Sequence, residues 1–296
     1  MLPFLQYAAK EIIDTTENKN FENTIIVLPS KRAVYFFKKS FALLSNGTFY
    51  APKILSIDDF IVSVSGLEII ENVELYLKAF EFWKKIDDSQ TLESFITWIP
   101  TLIKDFENID FALLQEPHQL FKYMSEAKSI ERWEIDDNFQ FSDTANGYFS
   151  FFDKVAVVYE QLKNDLINTN KAYRGLAYRT AANKIIDLES YSSKFYFFVG
   201  LNALTTSEEF IVKLLVQKKK AACIWDTDDF YMNPTQKAGK KLLSYKKSNL
   251  FGEWNTQFSL LQNTPKNFKV YNTLSENLQI TLVKNLLKES PVNHVV

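Results

Sequence analysis

Hydrophobic and polar positions follow two regimes along this chain. Near the start, Leu5, Ala8, Ala9, Ile12 and Ile13 recur at helical spacing and predict a helix from Phe4 to Thr15. Thr24-Ile25-Ile26-Val27-Leu28 is an apolar run of strand length. It meets a Pro29-Ser30 break and then an amphipathic helix from Ser30 to about Leu44, with Lys31 and Arg32 in its first turn; Ser30 can cap this helix and Pro29 stiffens the turn. Ser45-Asn46-Gly47 ends that helix, and Pro52-Lys53-Ile54-Leu55 is a second short strand. Ser56 stands three residues before Asp59 in the manner of a capping box, opening another helix.

From about Glu71 to Leu188 strand signals nearly vanish. Helical periodicity predicts helices over Val73–Ile86, Leu92–Phe106, Phe111–Ser125, Phe149–Ile167 and Leu176–Asp187. Phe80, Trp83, Phe95, Trp98, Phe106, Phe121, Phe151 and Phe152 supply large anchors, at a spacing that suits the core of a helix bundle better than a base-stacking platform. Strands return at Lys194–Gly200, a run too apolar to face water on either side and hence a central parallel strand. Thr205 or Thr206 can cap a helix over Glu208–Val216. Ala221–Trp225 is the next strand, Gln236–Tyr245 a basic helix, Asn267–Tyr271 a strand and Ser275–Lys288 a closing helix. The order β-α-β-α, then helices, then β-α-β-α-β-α predicts an α/β fold in which a parallel sheet is interrupted by an inserted all-α subdomain. Residues 1–68 and 190–296 would form the sheet domain and residues 69–189 the insertion.

Composition narrows the chemistry. The 296 residues carry a formal net charge of −2, so any nucleic-acid binding has to be local rather than driven by the whole field. Cys223 is the only cysteine, which excludes a disulfide or a cysteine-held cluster within this chain and reads as packing. His118 and His294 lie far apart in sequence and offer little to a metal pair or a His-based nucleophile. No apolar run reaches membrane-spanning length and no signal peptide opens the chain, so the expectation is a cytoplasmic protein with no membrane partner. The glycine-poor turn at Pro29-Ser30-Lys31-Arg32 can touch a backbone phosphate but is a poor nucleotide cradle, and GxxxxGK[ST] occurs nowhere. Asp226, Asp228 and Asp229 form the densest acidic cluster, either a magnesium site or a solvated, capping loop. Lys218-Lys219-Lys220 reads as a solvated helix end.

Five strings, in order, resemble a known family: Ile26–Ala33, Trp98–Asp110, Ala172–Arg179, Phe198–Leu204 and Trp225–Tyr231. The element order resembles the first motor domain of superfamily I DNA helicases of the UvrD type, a P-loop NTPase sheet with an inserted helical subdomain. The strings resemble the AddB-type subunit of bacterial helicase–nucleases, in the inactivated-helicase form of Bacteroidetes PD-(D/E)XK nuclease family proteins. That resemblance implies single-stranded DNA contact at Ser30, Lys31 and Arg32. It implies no ATPase and no cofactor in this segment: the phosphate loop that should precede the first strand is missing, and Gly200-Leu201 stands where an active motor has Asp-Glu. Trp225–Tyr231 resembles the next motor motif, with Phe230 where a polar group is expected. The implied partners are a motor-active helicase–nuclease subunit and a C-terminal nuclease region beyond Val296, in DNA repair and recombination. This chain would then be an N-terminal piece with no catalytic residue. Two other readings stay open, a protein-interaction scaffold that never touches nucleic acid and a divergent nucleotide-dependent enzyme at the Asp226 cluster.

Overall fold

The computed structural model describes residues 2–16, 20–45, 50–116, 121, 143–187, 193–254, 258–266 and 268–289. In chain order the elements are α1 (Phe4–Thr15), β1 (Thr24–Leu28), α2 (Lys31–Leu44), β2 (Lys53–Ser56), α3 (Ile57–Ser65), β3 (Glu68–Ile69), α4 (Asn72–Ile86), α5 (Leu92–Ile96) and α6 (Ile99–Phe111). They continue with α7 (Asp143–Asn168), β4 (Lys171–Ala172), α8 (Arg174–Lys184), β5 (Phe195–Val199), α9 (Thr206–Gln217), β6 (Ala221–Ile224), α10 (Lys240–Ser248), α11 (Leu260–Asn263) and α12 (Glu276–Glu289). Met1–Phe258 makes one compact unit and Ser259–Val296 another.

The first unit is built on a four-stranded parallel sheet in the order β2-β1-β5-β6. β1 and β5 lie side by side, Thr24 opposite Phe195 and Val27 opposite Phe198, although all the helices from α2 to α8 separate them in sequence. Side chains alternate across the sheet as the pleat requires. Ile26, Leu28, Phe197, Val199 and Ile224 face a core shared with α1 and α2. Ile25, Val27, Tyr196, Phe198 and Ala221 face a second core, shared with α3, α8, α9 and α10.

The two crossovers run in opposite directions. From β1, α2 returns to β2 on one face; from β5, α9 returns to β6 on the other. Right-handed crossovers that move apart place their helices on opposite faces, and the strand ends where they part, β1 and β5, form the topological switch point. Helices α4 to α7 enclose a third core around Trp83, Phe95, Phe106, Tyr159 and Leu162, to which Phe121 also belongs. The chain leaves for these helices and returns from them through a two-stranded parallel neck, Glu68 opposite Lys171 and Ile69 opposite Ala172.

Several elements differ from expectation. The helix expected over Leu92–Phe106 is two: Thr91 caps α5, the chain turns at Thr97-Trp98, and α6 begins at Ile99-Pro100. Proline needs no intrahelical partner for its missing N–H in a first turn, so Pro100 favours a new start there. α6 then runs on to Phe111, and 112–116 is not helical, with Leu113 at φ 53°; the rest of the helix expected to Ser125 lies outside the described residues except Phe121. The basic helix begins at Lys240 rather than Gln236, after a string of turns. Residues 268–271 form no strand: Phe268 and Val270 are 82% and 95% exposed. A strand is stabilised by a neighbour and a buried face, and among the described residues of the second unit there is neither.

Candidate functional site

Ser30 ends β1's turn and caps α2, its hydroxyl accepting from the Ala33 N–H at 3.2 Å. The neighbouring strand repeats the design, Ser56 Oγ accepting from the Asp59 N–H at 3.2 Å and donating to Asp59 Oδ2 at 2.6 Å. Because β1 and β2 are adjacent and parallel, the two helix starts lie together at the carboxyl edge of the sheet. Lys31 and Asp59 meet across them at 3.7 Å, with side-chain exposures of 82% and 43%. An ion pair this exposed contributes little to stability and leaves the Lys31 ammonium available to an anion. Arg32 lies over the ring of Phe36, 5.8 Å from its centroid. The structure therefore brings Ser30, Lys31 and Arg32 to one helix start on the switch-point edge, where backbone N–H groups and the positive helix end favour anions.

The rest of α2 extends that surface. Lys31, Arg32, Tyr35, Phe36, Lys38 and Lys39 are all exposed, while Phe37, Ser40 and Phe41 turn inward. At 3.6 residues per turn the exposed set spans an arc of roughly 160°. Lys39 lies 4.8 Å from the centroid of the Tyr35 ring, and the Tyr35 and Phe36 rings meet edge to face at 5.4 Å. No acidic residue occurs between Lys31 and Leu44. Sequence reading singled out the turn and passed over Tyr35 and Phe36. The signal was there in the spacing, each aromatic standing four residues from a cation, Arg32 to Phe36 and Tyr35 to Lys39, on the polar side of the helical period.

Across the switch point, Gly200 follows β5 at φ 66°, and a Cβ there would meet Phe4 Cε1 at 2.9 Å. Phe4 thus lies against the backbone at the end of the central strand, and Leu201 beside it is buried. An aromatic ring therefore covers the backbone at the end of β5, and the residue after Gly200 is a buried aliphatic side chain.

The acidic cluster is mostly engaged in turn-making. Asp228 Oδ1 accepts from the Phe230 N–H at 3.0 Å, its carbonyl accepts from Tyr231 and Met232, and the Asp229 N–H donates to Phe258 O at 2.7 Å. Burial, and secondly the Asp228 charge, push the Asp226 carboxyl above its ordinary range. Among the described residues no group of three or more His, Cys, Asp or Glu side chains gathers as a metal site requires. Trp225, at the head of this string, stacks on Trp254 at 4.7 Å and packs on Tyr245 and Phe251. Burial pushes the Cys223 thiol up to about 12, which leaves no thiolate at neutral pH. His118 and His294 lie outside the described residues.

Two other strings meet each other. Asp110 is fully buried, accepts from the hydroxyls of Tyr159 and Tyr173, and pairs with the Arg179 guanidinium, which also donates to Ile109 O at 3.0 Å. Arg174 pairs with Asp58 at 2.7 Å, its guanidinium 5.6 Å from the ring centroids of Phe111 and Tyr178. Trp98–Asp110 and Ala172–Arg179 are therefore joined as architecture, locking α6 to α8 and α8 to the start of α3.

Among the described residues no helix is long and apolar enough to cross a membrane. Comparison of the chain with models of known protein families gives no match. Comparison with curated proteins gives none either. What is defined is the class: a parallel α/β sheet carrying many helices.

Proposed function

We propose that this chain is a non-catalytic, helicase-like module of a DNA end-processing helicase–nuclease of the AddB type. It guides single-stranded DNA past Ser30, Lys31 and Arg32, and it docks a motor-active partner subunit and a nuclease region. The observation that carries this reading is the capped, basic start of α2 at the carboxyl edge of a parallel sheet whose central strands come from distant parts of the chain. A phosphate there gains the α2 N–H groups and two cations, and the single-sided charge suits a polyanion that slides. In this reading chemistry is left to the partner subunit and the nuclease region, because Gly200 and the buried Leu201 after the central strand supply no metal ligand.

The test is binding of labelled single-stranded DNA as a function of salt. The double substitution Lys31→Ala/Arg32→Ala is expected to weaken binding and to flatten the slope of log affinity against log salt by about 1.4 if both cations touch phosphates. Absence of wild-type binding at low salt removes the DNA role. One observation favours the scaffold reading as a companion: α12 of the second unit exposes Leu278, Ile280, Val283 and Leu287, an apolar set suited to a protein partner.

A further inference from the structure

The outer face of α2 asks for an explanation that the turn alone does not give. Tyr35 is 55% exposed and Phe36 41%, adjacent in sequence and edge to face in space. Lone exposed aromatics are ordinary; two in contact, ringed by four cations on a helix with no acid, are a surface of definite chemistry. The cations rule out an apolar protein groove as the best fit, since charged residues are depleted from interface cores. The aromatics rule out a simple phosphate patch, which needs no π-face. A ligand that satisfies both presents a chain of negative charges and flat, unpaired rings, which is single-stranded nucleic acid.

We infer that the exposed face of α2 is a base-stacking platform for single-stranded nucleic acid, with Tyr35 and Phe36 as the stacking rings and Lys38 and Lys39 continuing the phosphate track begun at Lys31 and Arg32. This deepens the reading of the Ser30 turn and rests on it for the class of ligand. Helical geometry makes the track continuous, because Lys31 to Lys39 lies along one face of α2, about 12 Å at 1.5 Å per residue. Arg32 lies over the Phe36 ring and Lys39 over the Tyr35 ring. Each cation reaches phosphate by a side-chain rotation that uncovers the ring it lay on, so stacking and charge pairing are gained together. A duplex keeps its bases stacked inside and offers the platform nothing but phosphates.

The experiment compares the full chain with Tyr35→Ala/Phe36→Ala, Tyr35→Leu/Phe36→Leu and Lys31→Ala/Arg32→Ala. The probes are labelled oligothymidylate, an abasic oligomer of equal length and a duplex, and circular dichroism checks that each variant is folded. The wild type is expected to prefer thymidylate over both other probes. Both ring-removing variants are expected to lose about tenfold or more on thymidylate, to keep the wild-type salt slope, and to bind the abasic oligomer as the wild type does. The leucine pair retains an apolar surface, so its failure to rescue assigns the loss to the rings. If the ring variants bind like the wild type while Lys31→Ala/Arg32→Ala is weakened, the platform is overturned and the turn stands. If only the ring variants are weakened, the platform stands and the turn reading fails. Equal wild-type affinity for thymidylate and abasic oligomer, equal affinity for duplex, or no binding at all overturns the platform.

Discussion

Lys154 donates to Asp87 at 2.7 Å, and this bond, followed by those from Ser89, holds the Asp87 carboxyl down to about 2. A carboxyl depressed on folding adds stability above its unfolded value near 4, and that contribution is lost as pH falls through about 2. Lys154→Ala is expected to move the Asp87 titration upward towards the ordinary carboxylate range, read by carbonyl-carbon NMR; an unmoved titration removes Lys154 as its cause. Asp110 is a different case, since it lies wholly inside. Arg179→Met leaves that carboxylate with two phenol donors and no countercharge, and should cost about 3–5 kcal/mol of unfolding free energy in urea denaturation. The roles of these residues were not legible in the sequence, because a buried acid next to apolar neighbours looks like any helix-face acid until Tyr159, Tyr173 and Arg179 converge on it from α7, the loop before α8, and α8.

Periodicity and stop signals placed many elements well. Phe4–Thr15 and Thr24–Leu28 lie where the pattern puts them, because each carries its signal locally: an i, i+3, i+4 stripe in one and four β-branched residues closed by Leu28 in the other. β3 and β4 escaped notice because a two-residue strand has no period to read; they exist only through each other. The contact between α6 and α8 was equally invisible. Gly175 has no Cβ, and one built there would lie 2.6 Å from Glu107 Cα and 2.7 Å from Glu107 O, closer than any real Cβ approaches backbone. Gly175→Ala is expected to force the two helices apart and destabilise the protein by about 1–3 kcal/mol, the usual cost of overpacking. A thermal or urea midpoint equal to wild type would show that the helices can separate freely. At the candidate site the capping serine and both cations were readable from the chain, whereas the closure of the β5 strand end by Phe4 was not, since α1 reaches Gly200 only through the fold.

At the scale of the first unit, β1 and β5 each have a strand on both sides, while β2 and β6 form the edges. Amide hydrogen exchange should therefore be slowest at Ile26–Leu28 and Phe197–Val199, with both sets released in the same denaturant step because each is the other's ladder partner. Release of the β5 set at distinctly lower denaturant would mean that the late strands are a separate body. The sheet's parallel character could be anticipated because hairpin turns are missing between the apolar runs. The strand order needed the pairing itself, because loops carry no record of which neighbour a strand will choose.

The long detour between β1 and β5 also bears on birth at the ribosome. After Leu28 emerges, everything from 29 to 194 must be translated before β5, its ladder partner, exists, a wait of roughly 10–30 s at ~5–20 residues per second. During that interval the Thr24–Leu28 hydrogen-bonding edge stands open and sticky. Nascent-chain chaperones should therefore associate with this polypeptide most while its helical excursion is being made, and let go once Val199 clears the exit tunnel.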